Sequence, residues 1–504
     1  MTAEVASIPE WFRGRNVFVT GGTGFMGKVL LYKLLSSCHD LGNVFLLVRE
    51  KRGTDPRSRL YLMMQQLPFK MLKEKYPEQL KKIVLVSGDT SVSELGLSAS
   101  DKERLSREVS VVFHMAANVK FDMTLKEAIK TNTQGTANVL AFAKKMSNLQ
   151  SFIHVSTTYC QCNEEVLEEQ AYPVPVDPES IITTVNKMSD EVLVAMTPKL
   201  LGNQPNTYAF SKALSEDLVQ RCGLPAGVAR PSIVTASWKE PVTGWVENLN
   251  GPTGLMIGAG KGVIRTFLCN EQYRMDVIPC DMAINATIAL AWKVGLENPA
   301  KPIFMNITNE NAHSLSWGDA IEKGRKHAIA NPFTGLLWYP GGRTTTSKVY
   351  HRLMVILLHL IPAYFLDTLI AVTGNKPFLI KVQHKISIGL ELLNYYTMKQ
   401  WYFRTNRMLR LQEELHPSDK EAFFMNTRVI AWDDYILAYI LGTRQYFLKD
   451  DPSTLPRARR VITYLYYADW FVKIAFLILV GWFLYCWTMS FTKVTTTIIE
   501  GKDL

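Results

Sequence analysis

Cysteine is scarce in this chain: seven of 504 residues, at positions 38, 160, 162, 222, 269, 280 and 486. An odd, scattered set excludes a disulfide scaffold and reads as reduced thiols of a cytosol-facing protein. Cys160 and Cys162 lack a second pair of ligands, so no metal is expected there. Lys/Arg clusters interleaved with aromatics are missing as well, and no nucleic-acid partner is expected. The opening residues, MTAEVASIPEWFRGR, contain no apolar core and do not read as a signal peptide. The last four, GKDL, are neither KDEL nor SKL. Internal repeats and low-complexity tracts are absent.

What is present is an ordinary globular composition, 47% hydrophobic and 20% charged, long enough for several domains. The net charge of +10 suits an anionic cofactor, an anionic substrate or a lipid surface.

The informative stretch is Val17–Gly27, VFVTGGTGFMG. A short apolar run meets a glycine-rich turn, and an apolar-periodic helix, Lys28–Leu35, follows. Gly21, Gly24 and Gly27 let the backbone turn tightly and approach a pyrophosphate at the helix N-terminus. In this strand–turn–helix context the turn predicts a dinucleotide site made by Thr20, Gly21, Thr23, Gly24, Phe25, Met26 and Gly27. Further strands are predicted at Val44–Val48, Ile83–Val86, Val109–Phe113 and Phe152–Val155, which gives a doubly wound α/β domain with a parallel sheet.

The strand ends carry the chemistry. Val44–Val48 ends in Arg49, with Lys51 and Arg52 beyond, where an NAD site usually has a carboxylate. Arginine suits a 2′-phosphate, so NADPH is favoured over NADH, although Glu50 is also near. Asp89, after the third strand, is placed to accept from an adenine amino group. Ala116 and Ala117, after the fourth, leave room for a cofactor. Asn132 falls on a predicted helix, Leu125–Lys145, and is assigned to the cofactor-binding set as support of the site.

The fifth strand delivers Ser156 and Thr157. Tyr208 and Lys212, four residues apart, share one helix face. Carbonyl reduction by a nicotinamide needs such a set. A phenol gives a proton to the oxygen, a hydroxyl (Thr157 or Ser156) bonds it, and an ammonium lowers the phenol pKa and holds the ribose.

In this order the motifs resemble the extended short-chain dehydrogenase/reductase family. The resemblance implies catalytic roles for Thr157, Tyr208 and Lys212, with Ser156 as the alternative hydroxyl, and puts Pro231 and Val234 beside the nicotinamide. The segments Gly244–Asn248 (GWVEN), Gly251–Gly254 (GPTG) and Gly258–Arg265 (GAGKGVIR) resemble eukaryotic fatty acyl-CoA reductases more narrowly. So do Ile430–Tyr435 (IAWDDY) and Leu441–Tyr446 (LGTRQY). Gly22 and Thr158 stand where that family usually has alanine, and Thr158 could compete for the hydrogen bond.

The resemblance implies reduction of a long-chain acyl-CoA to a primary alcohol through an aldehyde, with two NADPH consumed, supplying wax-ester or ether-lipid synthesis. Lys261 and Arg265 could meet CoA phosphates or form a solvated basic helix end. Two rivals remain: another membrane-bound extended short-chain dehydrogenase, for a steroid or sugar nucleotide, and a non-catalytic NADP-binding scaffold. Nothing in the sequence sets an oligomeric state.

The tail, Ile474–Thr492, is nineteen residues without a charge, near the ~20 that span a bilayer. Basic residues upstream keep the large N-terminal part cytosolic. Leu353–Val372 is also apolar, but His359, Pro362 and Asp367 interrupt it, so it is expected to pack on the reductase domain, lining an acyl channel or touching the membrane surface, with a two-pass membrane hairpin as the alternative. The expected divisions are a reductase domain at 10–345, a mostly helical domain at 346–451, a linker with a basic flank at 452–473 and an anchor at 474–492. The family suggests a peroxisomal membrane, with the endoplasmic reticulum as the alternative.

Overall fold

A computed structural model describes residues 6–309 and 314–500, with side chains as far as Met489. Residues 1–5 and 501–504, which enter the readings of the opening segment and of GKDL, lie outside the described residues.

Seven parallel strands form the central sheet: β1 (Asn16–Thr20), β2 (Val44–Val48), β3 (Ile83–Ser87), β4 (Val109–His114), β5 (Ser151–Val155), β6 (Ala226–Pro231) and β7 (Ile303–Ile307). Their spatial order is β3-β2-β1-β4-β5-β6-β7. The order reverses between β1 and β4, and a crevice opens there at the C-terminal strand ends. The near-continuous apolar runs have a simple cause: helices cover both faces of a parallel sheet. Val17 and Val19 pack with Val29, Leu30 and Ile284 on one side. Phe18, pointing the opposite way by strand alternation, packs with Val139, Leu140 and Val219 on the other. The doubly wound expectation is met.

The helix expected over Leu125–Lys145 is broken by geometry rather than by a turn. Leu125–Ala128 leads into a π turn, Ile129–Thr133, and then into Gln134–Ala143. Such bulges cluster at functional sites, and this one carries Asn132.

The C-terminal region is mostly helical and closes on the sheet domain. Tyr435 Oη lies 2.6 Å from Thr235 Oγ1, and Tyr402–Phe403 adds a strand beside Val166–Leu167. The backbones of Gly244 and Gly442 touch so closely that a Cβ on Gly442 would collide with Gly244 O.

Pro452–Thr454 is a 3₁₀ turn, and from Leu455 to Glu500 the chain is one helix that takes in both the basic flank and the stretch 474–492. Pro456, early in that helix, needs no N–H partner there. Lys348–Val372 does not bury its apolar side chains: Phe365 is 63% and Val372 80% exposed. The face turned inward is His359, Ala363 and Asp367, each four residues on, so two of the residues that interrupt the apolar run, His359 and Asp367, are packed, while Pro362 stays exposed. Asp367 accepts from the N–H groups of Phe378, Leu379 and Ile380 and caps the next helix, Leu379–Thr397. By length and composition alone, Lys348–Val372 and Pro452–Met489 could each cross a membrane, with mean hydropathies of 2.1 and 1.9.

Candidate active site

The glycine turn ends β1 with Gly21 at φ +77°, a backbone region that favours glycine. A Cβ on Gly21 would lie 2.6 Å from Ala116 N, and one on Gly27 would run into Gly21 O. The turn is therefore pressed against both the β4 loop and the following helix, Phe25–Ser37. No side chain caps that helix at Gly24, which leaves its first N–H groups for an anion.

The turn forms one wall of a cleft of about 810 Å³. Thr20, Gly21, Thr23, Gly24, Phe25, Met26 and Gly27 all line it. So do Arg49, Asp89, Ala116 and Ala117, and from the far side Pro231 and Val234. Thr20 is fixed from behind, with Oγ1 2.7 Å from His114 Nδ1. Burial pulls the His114 pKa down to about 3, so that ring is neutral.

Around the end of β2 the lining is cationic. Arg49, Lys51, Arg52 and Arg59 meet there, with Asp89 as the acid among the lining residues. Arg49 Nη1 is 3.5 Å from Asp89 Oδ2. Arg59, missed in the sequence, reaches in from helix Pro56–Met64 and donates to Arg49 O (2.6 Å) and Thr23 Oγ1 (2.9 Å). Partial burial, then the positive charges of Arg59, Arg49 and Arg52, pull the Lys51 pKa down. A group of like charges held this close is suited to a polyanion.

At the other end of the cleft stand Ser156, Thr157, Tyr208 and Lys212. Asn206 caps the helix Thr207–Gln220 by accepting from Ala209 N at 2.9 Å. Lys212 is buried, and its Nζ donates to Val155 O at 2.6 Å. Burial lowers its pKa to about 8, opposed by the Glu216 carboxylate one turn on. Glu216 is itself held by a buried two-pronged ion pair with Arg230, at 2.9 and 2.6 Å.

Desolvation within the cleft pushes the Tyr208 pKa above that of an ordinary tyrosine. This reverses the expected direction: enclosure in the cleft disfavours the charged phenolate, and the phenol stays protonated. Thr157 Oγ1 accepts from Tyr159 N at 3.2 Å, which uses a lone pair and leaves the hydroxyl hydrogen to donate. Thr158 is buried away from the cleft lining.

Asn132 is not on the cleft wall. Its Nδ2 donates to Asn118 O (3.0 Å) and Ser211 Oγ (2.9 Å), and its Oδ1 accepts from Asn118 N (2.8 Å). It thereby ties the β4 loop to the Tyr208 helix. Lys261 and Arg265 are outside the cleft too, and Arg265 is already paired with Asp469 at 3.1 Å. The sequence reading also missed Phe121, Tyr159, Trp317 and Tyr396, all lining residues. No local pattern signals them, because packing alone brings them in.

The cradle, the free helix terminus and the cation group fit a nicotinamide dinucleotide. The fold and cleft define a Rossmann-type reductase of the extended short-chain kind. An NAD-binding family profile described as male sterility protein matches residues 19–287, and a second with that description, Sterile, matches 358–450. Fatty acyl-CoA reductase 1 of Xenopus laevis is 38% identical over 460 residues, covering 90% of this chain and 88% of that protein. The human fatty acyl-CoA reductase 1 is 37% identical over 90% of this chain and 89% of its own length. Fatty acyl-CoA reductase 2 of Bos taurus is 34% identical, with the same two coverages. This chain belongs to the fatty acyl-CoA reductase family. Among solved structures, the reductase domain of a Mycobacterium tuberculosis nonribosomal peptide synthetase shares the fold. Its TM-score is 0.58 at 18% identity, covering 86% of this chain and 91% of that one.

Proposed function

We propose that this enzyme reduces long-chain fatty acyl-CoA to a primary alcohol and free CoA through an aldehyde, with NADPH as reductant. The observation that carries the reading is one cleft with a pyrophosphate cradle at one end and Thr157, Tyr208 and Lys212 at the other. The family supplies the substrate class.

Two NADPH, bound one after the other, would each supply one hydride, the first to the thioester carbon and the second to the aldehyde carbon. Thr157 donates a hydrogen bond to the thioester oxygen as negative charge develops, and Tyr208 does the same with its protonated phenol. Collapse of the tetrahedral oxyanion expels the CoA thiolate and leaves the aldehyde. In the second reduction Tyr208 gives its proton to the alkoxide, which yields the alcohol. Lys212 holds the nicotinamide ribose and, through its charge, eases loss of the phenolic proton. Ser156 is the alternative hydroxyl. Arg49 and Arg59 hold the 2′-phosphate, Asp89 faces the adenine, and Asn132 positions the Tyr208 helix.

In this reading 10–345 is the reductase domain and 346–451 a helical second domain. The stretch 474–492 anchors the chain with its body on the cytosolic side of a peroxisomal membrane, or of the endoplasmic reticulum, supplying wax-ester or ether-lipid synthesis.

The test is incubation of the detergent-solubilised chain with palmitoyl-CoA or stearoyl-CoA and NADPH, with lipid products separated by chromatography. Fatty alcohol is the expected product. Absence of both alcohol and aldehyde, with NADPH bound, overturns the reading.

A further inference from the structure

Beside the cleft is a second cavity of about 150 Å³. It shares Pro252, Leu255 and Trp317 with the cleft wall, so the two spaces adjoin at that neck. Helices Pro252–Gly260, Trp317–Ala330 and Trp432–Gly442 enclose it. Phe267, Met275, Ile321 and Ile436 give it an apolar lining.

The phenols in its wall already have partners. Tyr435 Oη donates to Ala236 O at 2.7 Å, and Tyr439 Oη lies 2.5 Å from Thr253 Oγ1. Such a space offers water little and hydrocarbon much. At the neck Trp317 is 5% exposed, and its indole N–H has no acceptor among the described residues. A buried donor without an acceptor marks a place where a ligand's polar end can rest.

Gly341, Gly342 and Arg343 also line it. Arg343 N donates to Arg265 O there (3.1 Å). Arg265 in turn joins both apolar helices: its N donates to His359 Nε2 (2.8 Å), and its Nη2 to Asp469 Oδ1 (3.1 Å). The cavity therefore adjoins the reaction cleft at its neck and, through the Arg343–Arg265 contact, the segment tied to the two exposed apolar helices.

We infer that this cavity receives the methyl-end carbons of the thioester substrate's acyl chain, the rest of the chain lying in the cleft. The carbonyl lies in the cleft near Thr157 and Tyr208. The inference rests on the acyl-CoA reductase reading and adds the place of the chain and the residues that limit its length.

Ala320 and Gly324, on helix Trp317–Ala330, line the cavity, and a Cβ on Gly324 would meet no atom within 4 Å. Gly324→Leu and Ala320→Leu therefore fill space that a long chain needs. The expected result is a kcat/KM loss of about tenfold or more for stearoyl-CoA and less than about threefold for octanoyl-CoA. NADPH affinity is unchanged. Equal losses for both chain lengths, or no loss for either, overturn the inference.

A second measurement uses the unaltered full chain with NADP⁺ and a stearoyl-CoA analogue bearing a diazirine near its methyl end. Photolabel on peptides from 315–330 or 432–442 supports the assignment, and label confined to other segments overturns it. The two failures are distinguishable. Alcohol formation with label elsewhere removes only the cavity assignment, whereas label in the cavity without any reduced product removes only the reaction.

Discussion

Asn206 Nδ2 donates to Tyr396 Oη at 2.9 Å. Asn206 is the N-cap of the Tyr208 helix, and Tyr396 belongs to helix Leu379–Thr397 of the C-terminal region. The second region thus fixes the start of the helix that carries the proton donor. Phe121 lies between the two tyrosine rings, 5.7 Å from Tyr208 and 5.3 Å from Tyr396.

Tyr396→Phe removes one hydroxyl from that contact. A net loss of about 1 kcal/mol is expected for the hydrogen bond. It should appear as a several-fold fall in kcat with NADPH affinity retained. Steady-state kinetics beside a cofactor titration separates this positioning role from loss of fold.

Tyr208→Phe removes the proton donor and keeps the ring. General acid catalysis typically contributes about 10²–10⁴-fold, and a loss in that range is expected. NADPH binding, followed by fluorescence, should be unchanged. Retained alcohol formation in this variant would contradict the assigned role.

Arg49→Ala and Arg59→Ala test cofactor choice. Each hydrogen bond to a charged group is worth about 1.5–3 kcal/mol, so each change should weaken NADPH by about ten- to a hundredfold. NADH affinity should barely move. Losses of equal size for both cofactors would remove the 2′-phosphate from the account.

The pH profile should report Lys212, whose pKa burial lowers from 10.5 to about 8. The ammonium supports catalysis, so kcat/KM falls as pH rises through about 8. Stability moves the other way. Between about 8 and 10.5 the unfolded chain binds more protons than the folded one, so this group's destabilising share fades as pH rises. Lys212→Met should flatten that limb of the activity profile.

Glu216→Ala leaves Arg230 charged and fully buried, since Arg230 is 0% exposed. Breaking one side of a buried pair costs about 3–5 kcal/mol, and a large fall in melting temperature is expected. Replacing both residues by methionine should recover part of it, because the Arg230 charge is gone while Lys212 still lacks the Glu216 carboxylate.

Much of the nucleotide half was legible in the sequence. β2 was predicted at Val44–Val48 and is found there. The apolar runs of a parallel sheet are continuous and bounded by turn residues, so their signal is local. Tyr208 and Lys212 were legible for a similar reason, since four residues on a helix bring two side chains to one face.

What the sequence by itself determined, then, is a set of short-range facts: the strands, the glycine turn, the Tyr–Lys face and the cationic strand end. The tertiary structure alone decided the rest. It brought Arg59, Trp317 and Tyr396 to the cleft and took Lys261 and Arg265 away from it. It turned His359 and Asp367 inward from a helix whose apolar side chains face out. It also set the direction of the Tyr208 shift, because enclosure there disfavours the phenolate. The physical reason is common to all of these: burial and long-range contact depend on which distant segments pack together, and residue spacing along the chain carries no record of that.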